Sequence, residues 1–386
     1  MKIGTSRMIQ LDVLRGVAIL LVIFTHAVVQ PADAGGLRGP LEYIGHLGPT
    51  GVDLFFVLSG FLVGGLLFAE LQANGRLDVR RFLIRRAFRI WPSYFVFLAV
   101  LIVGLMVAHG DSLFTALRSI WPSLLHVQNY FGSPRPQTWS LAIEEHFYLA
   151  LPLLLLLLTA RTKSRLHLLP WIALGLSITC TALRLNAYLH PPWFNPHIAT
   201  HLRIDSLFFG VMLAYLYHCR AEALHFSARA RRWLISAAML VLIAFPLLFM
   251  LDASSLILST GGFVLLYVCY GTVVIILVQS GQSAPWLGQR PLGPLVRTLA
   301  FIGFYSYPIY LWHIDASGRV PLAIRDAARA MGPELYWLFN FGIDVAAGVA
   351  VGVIFGILLE KPSMALRDRL FPSRARTAIT PTATGS

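Results

Sequence analysis

Arg15 and His26 stand eleven positions apart in an otherwise apolar run, LDVLRGVAILLVIFTHAVVQ, from Leu11 to Gln30. On an α-helix turning about 100° per residue they fall within about 20° of each other and roughly 16 Å apart along the axis. They therefore share a face, with a permanent cation at one depth and a titratable imidazole three turns further on. A charge inside a membrane helix costs about 2.5 kcal/mol or more, so it calls for a reason. Pairing of Arg15 with Asp12 at i,i+3, with His26 near an interface, is the structural reason open to it. The next apolar run, GVDLFFVLSGFLVGGLL, places Asp53 at the depth expected for His26. A carboxylate there would fix the imidazole tautomer and raise its basicity, as a general base requires. Capping its own helix is the alternative for Asp53.

The stretch RLDVRRFLIRRAFRIWP carries six arginines between Arg76 and Arg89. As a cytoplasmic loop it is a topogenic or lipid-binding signal. Arg86 and Arg89, an R-x-x-R pair adjacent on a helix face, would also grip a phosphorylated ligand such as coenzyme A through their guanidinium forks. In QTWSLAIEEHFYLALPLL, Glu144 and Glu145 enter an apolar helix, and at least one must face a polar interior. HLRIDSLFFG sets Arg203 and Asp205 near the end of another, as an ion pair or a substrate contact. FYSYPIYLWHID brings Tyr307 and His313 to the level of His26, where aromatic-belt residues are the default reading.

Apolar helices must position these groups. Hydrophobic residues make up 57% of the 386 and charged ones 13%, with a mean hydropathy of +0.69; an ordinary soluble domain is about 25% charged. The composition describes an all-α polytopic membrane protein. Windows of about 20 residues place ten helices, near 8–29, 48–70, 91–109, 139–159, 168–189, 203–219, 233–251, 256–280, 298–314 and 334–359. Of the 31 Lys and Arg residues, 22 then lie on one side, six on the other and three within spans. The positive-inside rule makes that first side, and both termini, cytoplasmic. The net charge of +13 is thus mostly topology, and no nucleic-acid partner follows from it. Cys180, Cys219 and Cys269 form no disulfide or metal pattern. The first run has no small-residue cleavage site and reads as a retained span. Residues 1–371 form the membrane domain, residues 372–386 a disordered cytoplasmic tail. The segment 110–138, with Trp121, His126, Tyr130 and Phe131, suits a re-entrant or interfacial cap.

Taken in order, LDVLRGVAILLVIFTHA, GVDLFFVLSGFL, RRAFRIWP, TWSLAIEEHFYL, RIDSLFFG and SYPIYLWH resemble the acyltransferase 3 family of integral membrane O-acyltransferases, from about Leu11 to Lys361. The resemblance implies transfer of an acyl group, commonly acetyl, from acyl-CoA to a hydroxyl of a cell-surface or exported carbohydrate or glycolipid. It implies a multi-pass protein of the inner (plasma) membrane, in contact with membrane lipids. By motif, Arg15 and His26 correspond to the family's R-x10-H pair, Arg86 and Arg89 to its R-x-x-R, and Glu144 to the glutamate of its W-S-L-x-x-E. Unlike some relatives, the chain is expected to carry no fused hydrolase-type domain.

On this reading acetyl-CoA is the donor substrate, no cofactor is permanently bound and no metal takes part. His26, Asp53 and Glu144 are the catalytic candidates, Arg15, Arg86 and Arg89 the donor-binding ones, and Arg203, Asp205, Tyr307 and His313 the acceptor-binding ones. Neutral His26, oriented by Asp53 or Glu144, would deprotonate the acceptor hydroxyl; an acyl-histidine intermediate is the other chemistry open to it. The rival class is a proton-coupled transporter, which also uses intramembrane Arg, His and Glu.

Overall fold

The computed structural model describes residues 8–27, 38–160, 165–251, 256–280, 293–318 and 332–372, with isolated positions between 318 and 332. Residues 373–386, where a disordered tail is expected, lie outside the described residues. In chain order the helices are α1 (Ile9–Ala27), α2 (Arg38–Leu47), α3 (Thr50–Asn74), α4 (Val79–His109), α5 (Leu113–Leu124), α6 (Gln128–Phe131) and α7 (Trp139–Thr159). There follow α8 (Leu169–Leu189), α9 (Thr200–Cys219), α10 (Ala228–Leu251), α11 (Leu256–Ser259), α12 (Gly261–Ser280), α13 (Gly293–Phe304) and α14 (Ser306–Ser317). The series ends with α15 (Pro333–Phe355), a π turn (Gly356–Glu360) and α16 (Lys361–Leu370). Among the described residues the fold is all-helical, and eight helices are long and apolar enough to cross a membrane.

Three features differ from the reading of the sequence alone. The arginine-rich stretch is no loop but the start of α4. Asp78 caps this helix by accepting from the Arg81 amide at 3.0 Å, and the apolar residues between the arginines let it run on to His109. The eighth and ninth spans are interrupted: α11 and α12 part at Thr260, and α13 and α14 at Tyr305. Pro308 explains the second break, because its ring lacks an N–H and crowds the carbonyl four residues back, at Phe304. Pro92, by contrast, sits inside an unbroken α4. The carbonyl it leaves without a helical donor is that of Phe88, and Ser363 Oγ of α16 donates to it at 2.5 Å.

Helix α3 lies at the centre. Of its most apolar window 72% is buried, against 17% for α8 and 22% for α10, and Phe56, Phe61 and Phe68 are nearly inaccessible. The outer helices instead expose Leu157, Trp171, Ile178 and Leu240, the apolar belt a lipid-facing surface needs. Two crossings rest on paired glycines. A Cβ on Gly60 or Gly210 would strike the backbone of the facing helix, α9 or α3, and a Cβ on Gly16 or Gly303 would do the same between α1 and α13. Such small-residue contacts bring backbones close where lipid supplies no hydrophobic drive. Beside α4, α5 turns Ala116, Ile120 and Ser123 inward and exposes Leu113, Phe114, Leu117, Trp121 and Leu124. This one-sided pattern is that of an interfacial helix.

Candidate active site

A half-open cavity lies between α1, α3, α7 and α14. Its polar lining comes from Arg15, Ser140, Glu144, Ser306, Tyr307 and Tyr310. Each arrives there by helical periodicity. Ser306, Tyr310 and His313 are spaced i, i+4, i+7 and so form one stripe of α14. That stripe faces the stripe of α1 carrying Arg15 and His26. Arg15 meets the cavity at the Ser306 end, and the His26 ring lies 5.1 Å from the His313 ring at the other. The shared face expected of Arg15 and His26 is therefore the face α1 turns to α14.

Tyr310 fixes α14 to the start of α7. Its hydroxyl donates to the Gln137 carbonyl at 2.5 Å and lies 2.7 Å from Ser140 Oγ. Tyr307 instead donates to the Ile90 carbonyl of α4 at 3.0 Å. Hydroxyl groups thus tie α14 both to α7 and to α4. Ser306 Oγ, almost fully buried, has no hydrogen-bond partner among the described residues.

At the Arg15 end the cavity adjoins a cationic group. The Arg86 guanidinium lies over the ring of Tyr148 at 5.3 Å, and the Tyr148 hydroxyl donates to Glu144 Oε2 at 2.6 Å. Arg86, Tyr148 and Glu144 thereby stand in a row of which Glu144 lines the cavity. Arg89 Nε stands 3.9 Å from Glu360 Oε1. Glu360 is only 4% exposed, and both it and Arg89 are charged neighbours of Arg15. The structure brings together Arg15, Arg86, Arg89 and Glu144, with Tyr307 lining the same cavity as Arg15 and Glu144.

Asp53, Arg203 and Asp205 are placed elsewhere, and two expectations are corrected. Arg203 Nη2 donates to Asp53 Oδ1 at 2.7 Å, so the carboxylate expected to orient His26 is held by a guanidinium on α9. Pro49 occupies the cap position of α3, so Asp53 does not cap it either. Arg203 and Asp205 are not each other's partners. Two apart on one helix, they point to different sides, and Asp205 pairs with Arg184 of α8 at 2.9 Å and 3.3 Å. All four groups are at most 5% exposed, and the Arg203 guanidinium also lies 4.0 Å from the centre of the Phe263 ring. A buried charge tolerates such a site only when paired and hydrogen-bonded.

Tyr148, Ser306 and Glu360 at the cavity, and Arg184 in the separate buried pair, were not expected from the sequence. Arg184 gave a signal, as a charge in an apolar helix. Glu360 gave less, because it sits at the end of its run, where a charge is ordinary.

Over the His26 end, segment 110–138 is tied down at several points. Arg135 grips Asp315 of α14 through Nε at 3.0 Å and Nη2 at 2.5 Å. Gln128 donates to the Thr138 carbonyl at 2.9 Å, and Asn129 to Thr200 Oγ1 at 2.8 Å. His126 stacks on Tyr94 at 4.7 Å with a left-handed backbone, φ 54°, and burial pushes its imidazole down to about 4.

Comparison with known proteins places the chain among relatives. The chain is 29% identical over 323 residues to a Staphylococcus aureus protein named "Putative O-acetyltransferase SACOL0978", covering 78% of this chain and 49% of that one. It is 27% identical over 383 residues to a Bacillus subtilis protein named "Putative peptidoglycan O-acetyltransferase YrhL", covering 94% and 56%. With the O-acetyltransferase OatA of Staphylococcus aureus it shares 26% over 326 residues, 78% of this chain and 49% of OatA. The chain spans about half the length of these relatives. No solved structure matches it. The family model described as an acyltransferase domain matches residues 8–361, a range that takes in every helix of the cavity, and on that match the chain belongs to the acyltransferase 3 family.

Proposed function

We propose that this chain is a multi-pass membrane O-acyltransferase that moves an acyl group, most simply acetyl, from acyl-CoA to a hydroxyl of a cell-surface carbohydrate or glycolipid. One observation carries the reading: Arg15 lines a cavity beside Arg86 and Arg89, and further along the same face of α1 the His26 ring meets that of His313. In this reading Arg86 and Arg89 face the cytoplasm of a plasma-membrane protein and take the donor's phosphates. The pantetheine arm runs past Arg15 and Glu144, and the thioester reaches the level of His26. His26 takes the proton of the acceptor hydroxyl, whose oxygen attacks the thioester carbonyl. Asp53 stays outside this chemistry, because its charge is committed to Arg203.

Support for a carbohydrate acceptor comes from the relatives' names, two of which specify O-acetyl transfer without an acceptor and one peptidoglycan. The test is release of free thiol from acetyl-CoA by protein in nanodiscs, with a panel of glycan acceptors. Release that requires an acceptor and disappears in His26→Ala supports the reading. Saturable CoA binding that weakens at least tenfold in Arg86→Ala supports the donor site. Undiminished turnover in His26→Ala removes the base assignment, and absence of any CoA binding removes the donor.

A further inference from the structure

His313 is 2% exposed, and both its ring nitrogens can be assigned by elimination. Nδ1 lies 2.9 Å from the Tyr310 carbonyl oxygen. A carbonyl only accepts, so Nδ1 carries the hydrogen. A neutral imidazole has one N–H, which leaves Nε2 as a bare lone pair. That nitrogen is buried without a hydrogen-bond partner among the described residues. A buried acceptor left unmet is expensive and rare enough to need a reason. The His313 ring stands beside that of His26, 5.1 Å away between centres and tilted by 42°.

The backbone under His313 is held on two further sides. Gly348 of α15 packs against it so closely that a Cβ there would come within 3.0 Å of the His313 Cβ. Two residues on, Asp315 is gripped by Arg135 through two nitrogens. The ring is thus fixed in place by neighbours that leave its free nitrogen unused. An exposed imidazole, His26, stands against a buried one whose lone pair is already set.

We propose that His313 is the proton-sharing partner of His26, its Nε2 accepting the proton that His26 removes from the acceptor hydroxyl. The inference rests on the acyl-transfer reading above and adds to it the path of the proton. The acceptor O–H bond breaks as His26 takes the hydrogen, and the oxygen forms the new C–O bond. The C–S bond breaks with its electron pair leaving on sulfur. The proton, shared between the two rings meanwhile, returns to the thiolate, so that an ester and a free thiol leave and both imidazoles end neutral. Spreading the charge over two rings lowers the cost of an imidazolium at the edge of an apolar bundle.

The test has two arms. In nanodiscs with acetyl-CoA and a working acceptor, His313→Phe keeps the ring and loses the nitrogens. It should lower kcat about 100-fold with KM for acetyl-CoA within twofold, while His313→Gln, which retains an acceptor atom, should recover part of that loss. A kcat within twofold of the parent in His313→Phe, or an equal loss in both variants, would overturn the proposal. The second arm needs no donor: histidine 15N resonances should show Nδ1–H and bare Nε2 at His313, with the Nε2 signal moving in His26→Gln. An Nε2–H tautomer, or no movement, overturns the pairing. If the parent releases no thiol from acetyl-CoA, the donor reading alone falls, and the resonances still decide whether the two rings share a proton.

Discussion

Arg203 and Asp53 meet at 2.7 Å across 150 positions of sequence, and neither side chain is more than 5% exposed. Removing one partner strands a buried charge, a loss of about 3–5 kcal/mol. Arg203→Met should therefore cost most of that, measured by unfolding in detergent. Pairing it with Asp53→Leu should return much of the stability, because two apolar side chains replace two ions. If the double variant is no better than Arg203→Met, the pair is not what Asp53 is for.

The second pair, Arg184 with Asp205, should behave as a unit. Arg184 also donates to the Leu202 carbonyl at 2.6 Å and to Thr181 Oγ1 at 2.9 Å. Asp205→Asn should cost about 2–3 kcal/mol in the parent and less than half of that in Arg184→Leu, a coupling of the size double-mutant cycles report for contacting groups. Equal costs in both backgrounds would mean that Asp205 is held by something other than Arg184.

Pro92 and Ser363 make a conditional prediction. Ser363→Ala leaves the Phe88 carbonyl without its 2.5 Å donor and should cost about 1–2 kcal/mol. In Pro92→Ala the helix supplies an N–H of its own, so the same substitution should cost close to nothing. Thermal midpoints of the four proteins decide it, and a Ser363→Ala penalty unchanged by Pro92→Ala would rule the relation out.

His126 should make the fold sensitive to acid. Its ordinary pKa is about 6.5, and burial, with His146 nearby, pushes it down to about 4. Between those values the unfolded chain takes up a proton that the folded chain refuses, so this contribution to stability falls as pH falls and is flat above about 6.5. Asparagine tolerates the positive φ and carries no proton. His126→Asn should therefore lose less stability than the parent between pH 7 and 4.5, and parallel curves would refute the assignment.

The helices were legible because crossing a membrane demands about 20 apolar residues, and that constraint writes itself into the chain. Arg15 and His26 were legible as a shared face for the same reason, since one helix fixes their angular relation. Pairings were not. Which carboxylate meets which guanidinium depends on how α3, α8 and α9 lie together, and Arg203 two positions from Asp205 suggested a pair that helical geometry disfavours. The arginines of α4 looked like a loop because charge density masked the Asp78 cap. Ser363 carried no signal, because its role exists only through a proline on another helix.

That last relation bears on the order in which the protein is made. Phe88 and Ser363 are 275 positions apart, so the ribosome adds the hydroxyl long after the proline has spoiled the ladder in α4. Through that interval the carbonyl must stay wet or borrow a donor, which keeps this turn of α4 near the aqueous boundary. When α16 arrives, only a docking that brings residue 363 to residue 88 closes the gap. A flaw built into an early helix thus serves as the lock for a later one and rejects an α16 seated one turn out of place.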